Sequence, residues 1–350
     1  MIEKIINEAV RELNIKDTPN IYRLARRWAR EHIKHEIVSP IDMISWPKGC
    51  LMLGLIFQAN NTSIDSCIKL KCINAVEDYI NKWLKKGAPI YTLDDCLCGV
   101  ALLMLIQIYP KDYSHKLLVA SDKLMKFLRN HSADTEGSWP YRPLHKNGRI
   151  FADGIGMAAP YAIYYGLINK DDRAVCLGIT QIENYFKYGF DEKTELPYHA
   201  YSLNEDGSVE HFGSIGWGRA VGWIALGLKL SLLAFEQIDR PLTEYEEEVK
   251  ETLIGSGDRF INSVRNYMRT DGLFGSQLLD ENSLIDTSAS AMILFAMGGG
   301  IENISKFITE DGCVDMAQGE CMDLGVYSNE YKSYPWSVGM TLVLEACSNI

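Results

Sequence analysis

The chain has 350 residues, 47% of them apolar, and 35 basic against 46 acidic residues give a formal charge of -11. That apolar share supplies an ordinary globular core, while the negative balance excludes the general basic surface that nucleic acid or an anionic membrane would need. A small anionic substrate stays compatible with it, because one buried Arg outweighs a distant diffuse charge.

The first stretch, MIEKIINEAVRELN, is amphipathic and carries acidic residues, unlike a secretory signal, and no apolar run reads as long enough to span a bilayer. A cytoplasmic protein with neither a membrane nor a nucleic-acid partner is expected. From there two textures alternate. IYRLARRWAREHIKHE shows apolar residues at helical spacing with a charged opposite face, and WPKGCLMLGLIFQA from Trp46 is apolar all round with small residues. The amphipathic DSCIKLKCINAVEDYINKWLKK then precedes the apolar LDDCLCGVALLMLIQIY from Leu93, and HKLLVASDKLMKFLRN precedes ADGIGMAAPYAIYYGLI from Ala152. RAVCLGITQIENYFKYG is followed by GRAVGWIALGLKLSLLAF from Gly218, and TEYEEEVKETLIGSGDRFINSVRNYM by DTSASAMILFAMGGG from Asp286. PWSVGMTLVLEAC from Pro335 is the sixth apolar segment.

A helix that is apolar all round is buried all round, whereas an amphipathic one covers it from outside. Six inner helices alternating with outer ones describe an all-α fold, an (α/α)6 barrel or six-hairpin toroid, as a single domain over residues 1–350. The apolar segments recur at intervals of about 50–70 residues, too long and irregular for a solenoid. GSVEHFGS and TDGLFGS carry turn residues and read as loops or minor hairpins. The nine cysteines are scattered and odd in number; Cys96, Cys98 and Cys176 fall in apolar helical stretches, where a free thiol acts as a small hydrophobe.

The notable polar residues share a position. Asp94 and Asp95 stand before one inner helix, Asp153 before the next, then Trp217 and Arg219, Asp286, and Trp336. If the inner helices run parallel around a ring, these residues converge on one mouth, concave and aromatic, of the kind that holds a small polar ligand. An Asp at a helix start is also what caps it, and capping alone accounts for Asp286 before Thr287 and Ser288. Asp153 sits instead in a Gly-flanked apolar stretch. Trp217, Arg219 and Trp223, interleaved with Gly218 and Gly222, suit a sugar-stacking wall beside an anion clamp, although an ion pair and core packing would use the same residues. His32, His35 and Glu36 lack HExxH order and lie on a charged helix, which argues against a metal. His199, in LPYHAYSLN, lies in an aromatic loop and is as compatible with a structural as with a functional role.

FADGIGMAAPYAIYYG, LPYHAYSLN, GWGRAVGW and DTSASAM, in that order, resemble the unsaturated rhamnogalacturonyl hydrolases of glycoside hydrolase family 105, related to the family 88 unsaturated glucuronyl hydrolases. Their pattern reads approximately W-x-D-G-x-x-M-x-x-P, Y-H-A, W-x-R-G-x-G-W and E-T-S. The resemblance runs from about Trp46 to the last helix and implies the same barrel. It implies an enzyme that removes 4,5-unsaturated galacturonic acid from the non-reducing end of lyase-generated pectin oligosaccharides by hydrating the enol-ether double bond, with no metal or organic cofactor. Carried over by position, Asp153 is the general acid and base and Asp94 the second carboxylate, chosen over Asp95 by its interval to Gly99. His199, Trp217, Arg219 and Trp223 would contact substrate and Met157 would shape the pocket. A helix amino terminus favours an ionised Asp153, which a general acid must resist; a second carboxylate and exclusion of water would oppose that effect.

Three departures bear on the neighbouring sugar. A GFWHK-like segment is replaced by GSWPYRPLHKNG, which offers Trp139, Tyr141, Arg142 and His145, with Tyr141 expected at the substrate; the Gly of the WxRG pattern is Ala220; and the family Glu is Asp286. The rival readings are an unsaturated glucuronyl hydrolase acting on glycosaminoglycan or ulvan fragments, a sugar epimerase using His199 with His211, and a non-catalytic carbohydrate-binding barrel.

Overall fold

The computed structural model describes residues 1–15, 21–33, 44–108, 111–142 and 148–347. Helices α1 (Ile2–Asn14), α2 (Ile21–His32), α3 (Trp46–Asn60) and α4 (Ser66–Lys85) are followed by a 3₁₀ turn over Leu93–Asp95 and by α5 (Cys96–Ile108) and α6 (Lys111–Asn130). Strand β1 (Ile150–Phe151) leads into α7 (Ala152–Met157), α8 (Ala159–Asn169) and α9 (Asp172–Tyr188). A hairpin of β2 (Ala200–Leu203) and β3 (Val209–Phe212) precedes α10 (Gly218–Glu236), α11 (Glu244–Arg265) and α12 (Thr287–Met297). Strands β4 (Ala317–Gln318) and β5 (Tyr331–Lys332) form a second small antiparallel pair before α13 (Pro335–Cys347).

The inner ring runs α3, α5, α8, α10, α12, α13 and closes back on α3, each helix touching the next. Burial follows the two textures. Every residue of α3 from Gly49 to Ala59, of α5 from Cys96 to Ile106 and of α12 from Thr287 to Phe295 is buried. Outer α4 buries only Cys72, Ala75, Val76, Ile80 and Trp83, one stripe at helical spacing. The architecture is the expected (α/α)6 barrel. The inner apolar segment at Ala152 is divided: Pro160, at the start of α8, lacks the amide that a continuous helix would require, and the chain breaks between α7 and α8.

Glycine lets the inner helices meet backbone to backbone. A Cβ on Gly54 would lie 2.4 Å from the Gly339 carbonyl oxygen, and one on Gly339 would lie 2.3 Å from that of Cys50. At the α7–α10 contact, a Cβ on Gly227 would fall 2.3 Å from the Ile155 carbonyl oxygen. No methyl group fits at these seams.

Several expectations are corrected. The outer position on α3 and α13 is filled by α1, through buried Ile5, Ile6, Ala9 and Leu13, and not by the IYRLARR helix; in α2, Ile21, Leu24 and Trp28 are exposed. Between α12 and α13 no outer helix is described; residues 298–334 form a long connection instead. Helix α10 is long and apolar enough to cross a bilayer by length and composition, contrary to the reading that no run is, yet it lies mostly buried in the ring. Cys96 and Cys98 are buried and burial pushes both thiols well up, whereas Cys176 is exposed on α9. His32 stacks on Trp28, while His35, Glu36 and His145 lie outside the described residues.

The turn before α5 is a capping box in which Asp95 is fully buried. Its Oδ2 accepts from the Tyr91 and Thr92 amides at 2.8 and 3.3 Å, and its Oδ1 has no partner. Burial, against those two hydrogen bonds and with the charge of Asp94, pushes its carboxyl up to about 8 from the usual 3.8.

Two predictions come from this packing. Gly54→Ala is expected to lower stability by about 1–3 kcal/mol through overpacking, while Gly255→Ala on α11, where nothing lies within 4 Å, raises it by up to about 1 kcal/mol. Urea midpoints check both, and a Gly54→Ala midpoint equal to wild type would remove close approach as the basis of the seam. Asp95 takes up a proton on folding between 3.8 and about 8, so its stabilising contribution is complete below 3.8 and is lost as the pH rises through 8. The melting temperature of Asp95→Asn should therefore decline less than that of wild type from pH 5 to 8.5; parallel curves would contradict it.

Candidate active site

The rim is built where the amino-terminal ends of the inner helices meet. Trp46 of α3 packs on Trp336 of α13, with ring centroids 4.6 Å apart, and edge-on against Trp223 of α10 at 5.8 Å. Arg219 of α10 lies 3.8 Å from the Asp286 carboxylate at the start of α12. These contacts place the starts of four inner helices together.

Asp153 reaches the rim through a strand pairing. Phe151 of β1 pairs with Ala200 of β2, and the Ala152 amide donates to the His199 carbonyl at 3.0 Å. His199 is thereby set beside the first turn of α7, where its Nε2 lies 3.2 Å from Asp153 Oδ2. The helix cap is Phe151, with no side-chain cap bond, so the Asp153 carboxylate is not engaged as a cap. Its Oδ2 is buried without an aligned hydrogen bond: the His199 approach satisfies distance but not direction. Asp286 Oδ2 is likewise buried without an aligned hydrogen bond, but its Oδ1 caps α12. It accepts from the Ser288 and Ala289 amides at 3.0 and 3.3 Å and from the Ser288 hydroxyl at 2.6 Å.

The turn separates the two consecutive acids. Asp95 folds inward as the capping residue, and Asp94 Oδ1 accepts a short hydrogen bond from the Tyr141 hydroxyl. Tyr141 stacks flat on Phe151, 4.5 Å between centroids, and Phe151 stands edge-on to His199 at 5.3 Å. Burial, then the charges of Asp94 and Asp153, push the Tyr141 phenol well up, with half-buried Arg142 opposing them. The phenol therefore stays protonated and donates. Asp94, Tyr141, Phe151, Asp153 and His199 form one contiguous group.

The opposite wall is less open than expected. Trp217 is 1% exposed; its Nε1 donates to Gln318 Oε1 at 2.8 Å, and its ring stacks on Tyr327 at 4.8 Å. Arg219, expected to clamp an anion, is 2% exposed, and it donates to the carbonyls of Gln318 and Gly319 at 2.6 and 2.8 Å. With Asp286 beside it and Trp217 and Trp336 on its faces, it holds the wall together. Trp223 and Met157, expected at the substrate, are both core residues at 1% exposure, with Trp223 packed where Gly156 leaves room for its ring. Trp139 is likewise buried.

Sequence reasoning missed Gln318 and Tyr327. The Gln318 carbonyl also accepts from Trp336 Nε1 at 3.2 Å, and its side chain donates to the Ser328 carbonyl at 2.9 Å. The Tyr327 hydroxyl accepts from the Ser214 amide at 2.9 Å and lies 3.4 Å from His199 Nδ1. Neither belongs to a periodic segment; the available signal was the long connection without an outer helix. Cys321, in that connection, has its thiol pushed up to about 12 by burial and then by the charge of Asp153. His211, the proposed epimerase partner of His199, is exposed, stacks on Tyr198 at 4.1 Å and contacts the Tyr188 carbonyl at 2.8 Å, so the two imidazoles are engaged separately. Among the described residues no three His, Cys, Asp or Glu side chains are grouped to hold a metal ion.

Residues 20–311 match the family described as Glycosyl Hydrolase Family 88. The chain is 22% identical over 272 residues to the unsaturated rhamnogalacturonyl hydrolase YesR of Bacillus subtilis (strain 168), covering 75% of this chain and 72% of that protein. Among solved structures it is similar to a possible member of the GH105 family from Salmonella enterica serovar Paratyphi A, with a TM-score of 0.77 at 15% identity over 99% of this chain and 93% of that one. It is also similar to the unsaturated glucuronyl hydrolase responsible for glycosaminoglycan degradation from Bacillus sp. GL1, with a TM-score of 0.64 at 15% identity over 99% and 96%. At such identities the structural likenesses carry the fold, and the family rests on the match that spans most of the sequence: the chain belongs to glycosyl hydrolase family 88.

Proposed function

We propose that the protein hydrolyses unsaturated rhamnogalacturonan oligosaccharides, releasing the 4,5-unsaturated galacturonic acid from the non-reducing end. The observation that carries this reading is Asp153: a carboxylate in the first turn of an inner helix, not engaged as its cap, with Oδ2 buried, unpaired and 3.2 Å from His199. The relative YesR, an unsaturated rhamnogalacturonyl hydrolase, favours the galacturonyl substrate.

In the proposed reaction Asp153 gives its proton to the ring carbon C4 of the double bond, and water adds at C5 while returning a proton to Asp153. The resulting hemiketal opens and the glycosidic bond breaks, with one water consumed. This differs from displacement at the anomeric carbon between two carboxylates. Asp94 accepts from the Tyr141 hydroxyl, and a hydrogen bond to a carboxylate stabilises its anion. Phe151 and Tyr141 supply aromatic surface around the reacting ring, and buried Trp217 packs against His199.

The test follows the ultraviolet absorbance of the conjugated double bond in lyase-generated unsaturated rhamnogalacturonan disaccharide, with unsaturated glucuronyl disaccharides in parallel. Loss of absorbance with the first and not the second is expected; the reverse would assign the glucuronyl reading. Asp153→Asn should lower the rate by about 10²–10⁴-fold, and wild-type activity in that variant would exclude the mechanism. Asp94→Asn should lower kcat by about tenfold or more, since it removes the charged acceptor that holds the Tyr141 hydroxyl; a wild-type rate in that variant would contradict its role.

A further inference from the structure

The wall that sequence reasoning missed reaches the proposed acid through one imidazole. The Ser214 amide donates to the Tyr327 oxygen at 2.9 Å, and the Tyr327 oxygen lies 3.4 Å from His199 Nδ1. On the other side of the ring, Nε2 lies 3.2 Å from Asp153 Oδ2. His199 is 2% exposed and held between Trp217, at 4.3 Å, and the edge of Phe151, at 5.3 Å, so its ring nitrogens have these two oxygens as their facing partners.

We propose that Tyr327 is a positioning residue that fixes the tautomer of His199, and through it selects which oxygen of Asp153 carries the transferable proton. A backbone amide can only donate, so the phenolic oxygen is an acceptor towards Ser214. A phenol that accepts on one side directs its own hydrogen towards an acceptor on the other, and Nδ1 is that acceptor. Neutral imidazole bears one hydrogen; with Nδ1 accepting, it resides on Nε2, the nitrogen 3.2 Å from Asp153 Oδ2. Oδ2 is thus the accepting oxygen, and the proton delivered to substrate is held on Oδ1. The 3.2 Å approach, not aligned here, becomes a hydrogen bond on a small turn of the imidazole or the carboxylate. Gly213 leaves room for this arrangement: a Cβ there would lie 2.6 Å from His199 Cβ and 2.8 Å from the Tyr327 hydroxyl.

The chemical role rests on Asp153 being the acid, but the tautomer does not, and the experiment separates the two. Full-length protein labelled with ¹⁵N-histidine, with His199→Gln to assign the resonances, reports the ring nitrogens of His199 near neutral pH without substrate. Hydrogen is expected on Nε2 with Nδ1 unprotonated, and in Tyr327→Phe a shift towards the Nδ1-hydrogen form. On the active disaccharide, Tyr327→Phe should lose about tenfold or more in kcat with KM within about twofold, because tautomer and orientation matter in the transition state and not in binding. Hydrogen on Nδ1 in wild type, or an unchanged tautomer in Tyr327→Phe, overturns the proposal. The expected tautomer in a protein that leaves every disaccharide unchanged overturns the reaction assignment and not the Tyr327–His199 arrangement.

Discussion

Backbone contact between neighbouring inner helices is the constraint on which the rest of the molecule depends. Helices with ordinary side chains at the interface stand 8–10 Å apart, and six of them would enclose a wider ring. At the α3–α13 and α7–α10 contacts, glycines let one helix rest on the carbonyl oxygens of the next, as Gly54 and Gly339 do. The starts of the inner helices then fall within side-chain reach of each other, so Trp46 touches both Trp223 and Trp336. Chemistry sensitive to displacements of about 1 Å thus inherits its precision from residues with no side chain.

Four carboxylates stand at the rim, and their neighbours give each a different character. Asp286 caps its helix and lies beside Arg219. Asp95 closes a capping box in full burial and is pushed towards the neutral form. Asp94 has a phenol donor. Asp153 has no cap bond, and its buried Oδ2, like Asp95 Oδ1 and Asp286 Oδ2, lacks an aligned donor. The two acids that hold helix starts use one oxygen each for that task, whereas Asp153 uses neither as a cap.

Periodicity made the ring legible because full burial and one-sided burial leave different patterns: the apolar run Cys96–Ile106 has no polar face, whereas α4 has one. The capping role of Asp286 was legible from the Thr and Ser that follow it. The pairing that brings His199 to Asp153 was not, since Ile150–Phe151 is too short to read as a strand and its partner was read as a loop. The burial of Arg219 and Trp223 was likewise hidden: Trp, Arg and Gly at these intervals suit a ligand wall and a packed interface equally, and the position of Gln318 decides for Arg219, that of Gly156 for Trp223. Gln318 and Tyr327 lie in a connection without periodicity, where local sequence carries little information about long-range contacts.

That connection has an evolutionary corollary. Where an outer helix packs on the ring, its sequence is tied to core volume, and change there is tested against folding. Residues 298–334 have no such helix, yet they deliver Gln318, Cys321 and Tyr327 to the mouth. A lineage could vary residues 320–326, between the Gln318–Gly319 anchor and Tyr327, while leaving the six inner helices untouched. Divergence of specificity would then proceed by replacing one strap, at little risk to the scaffold.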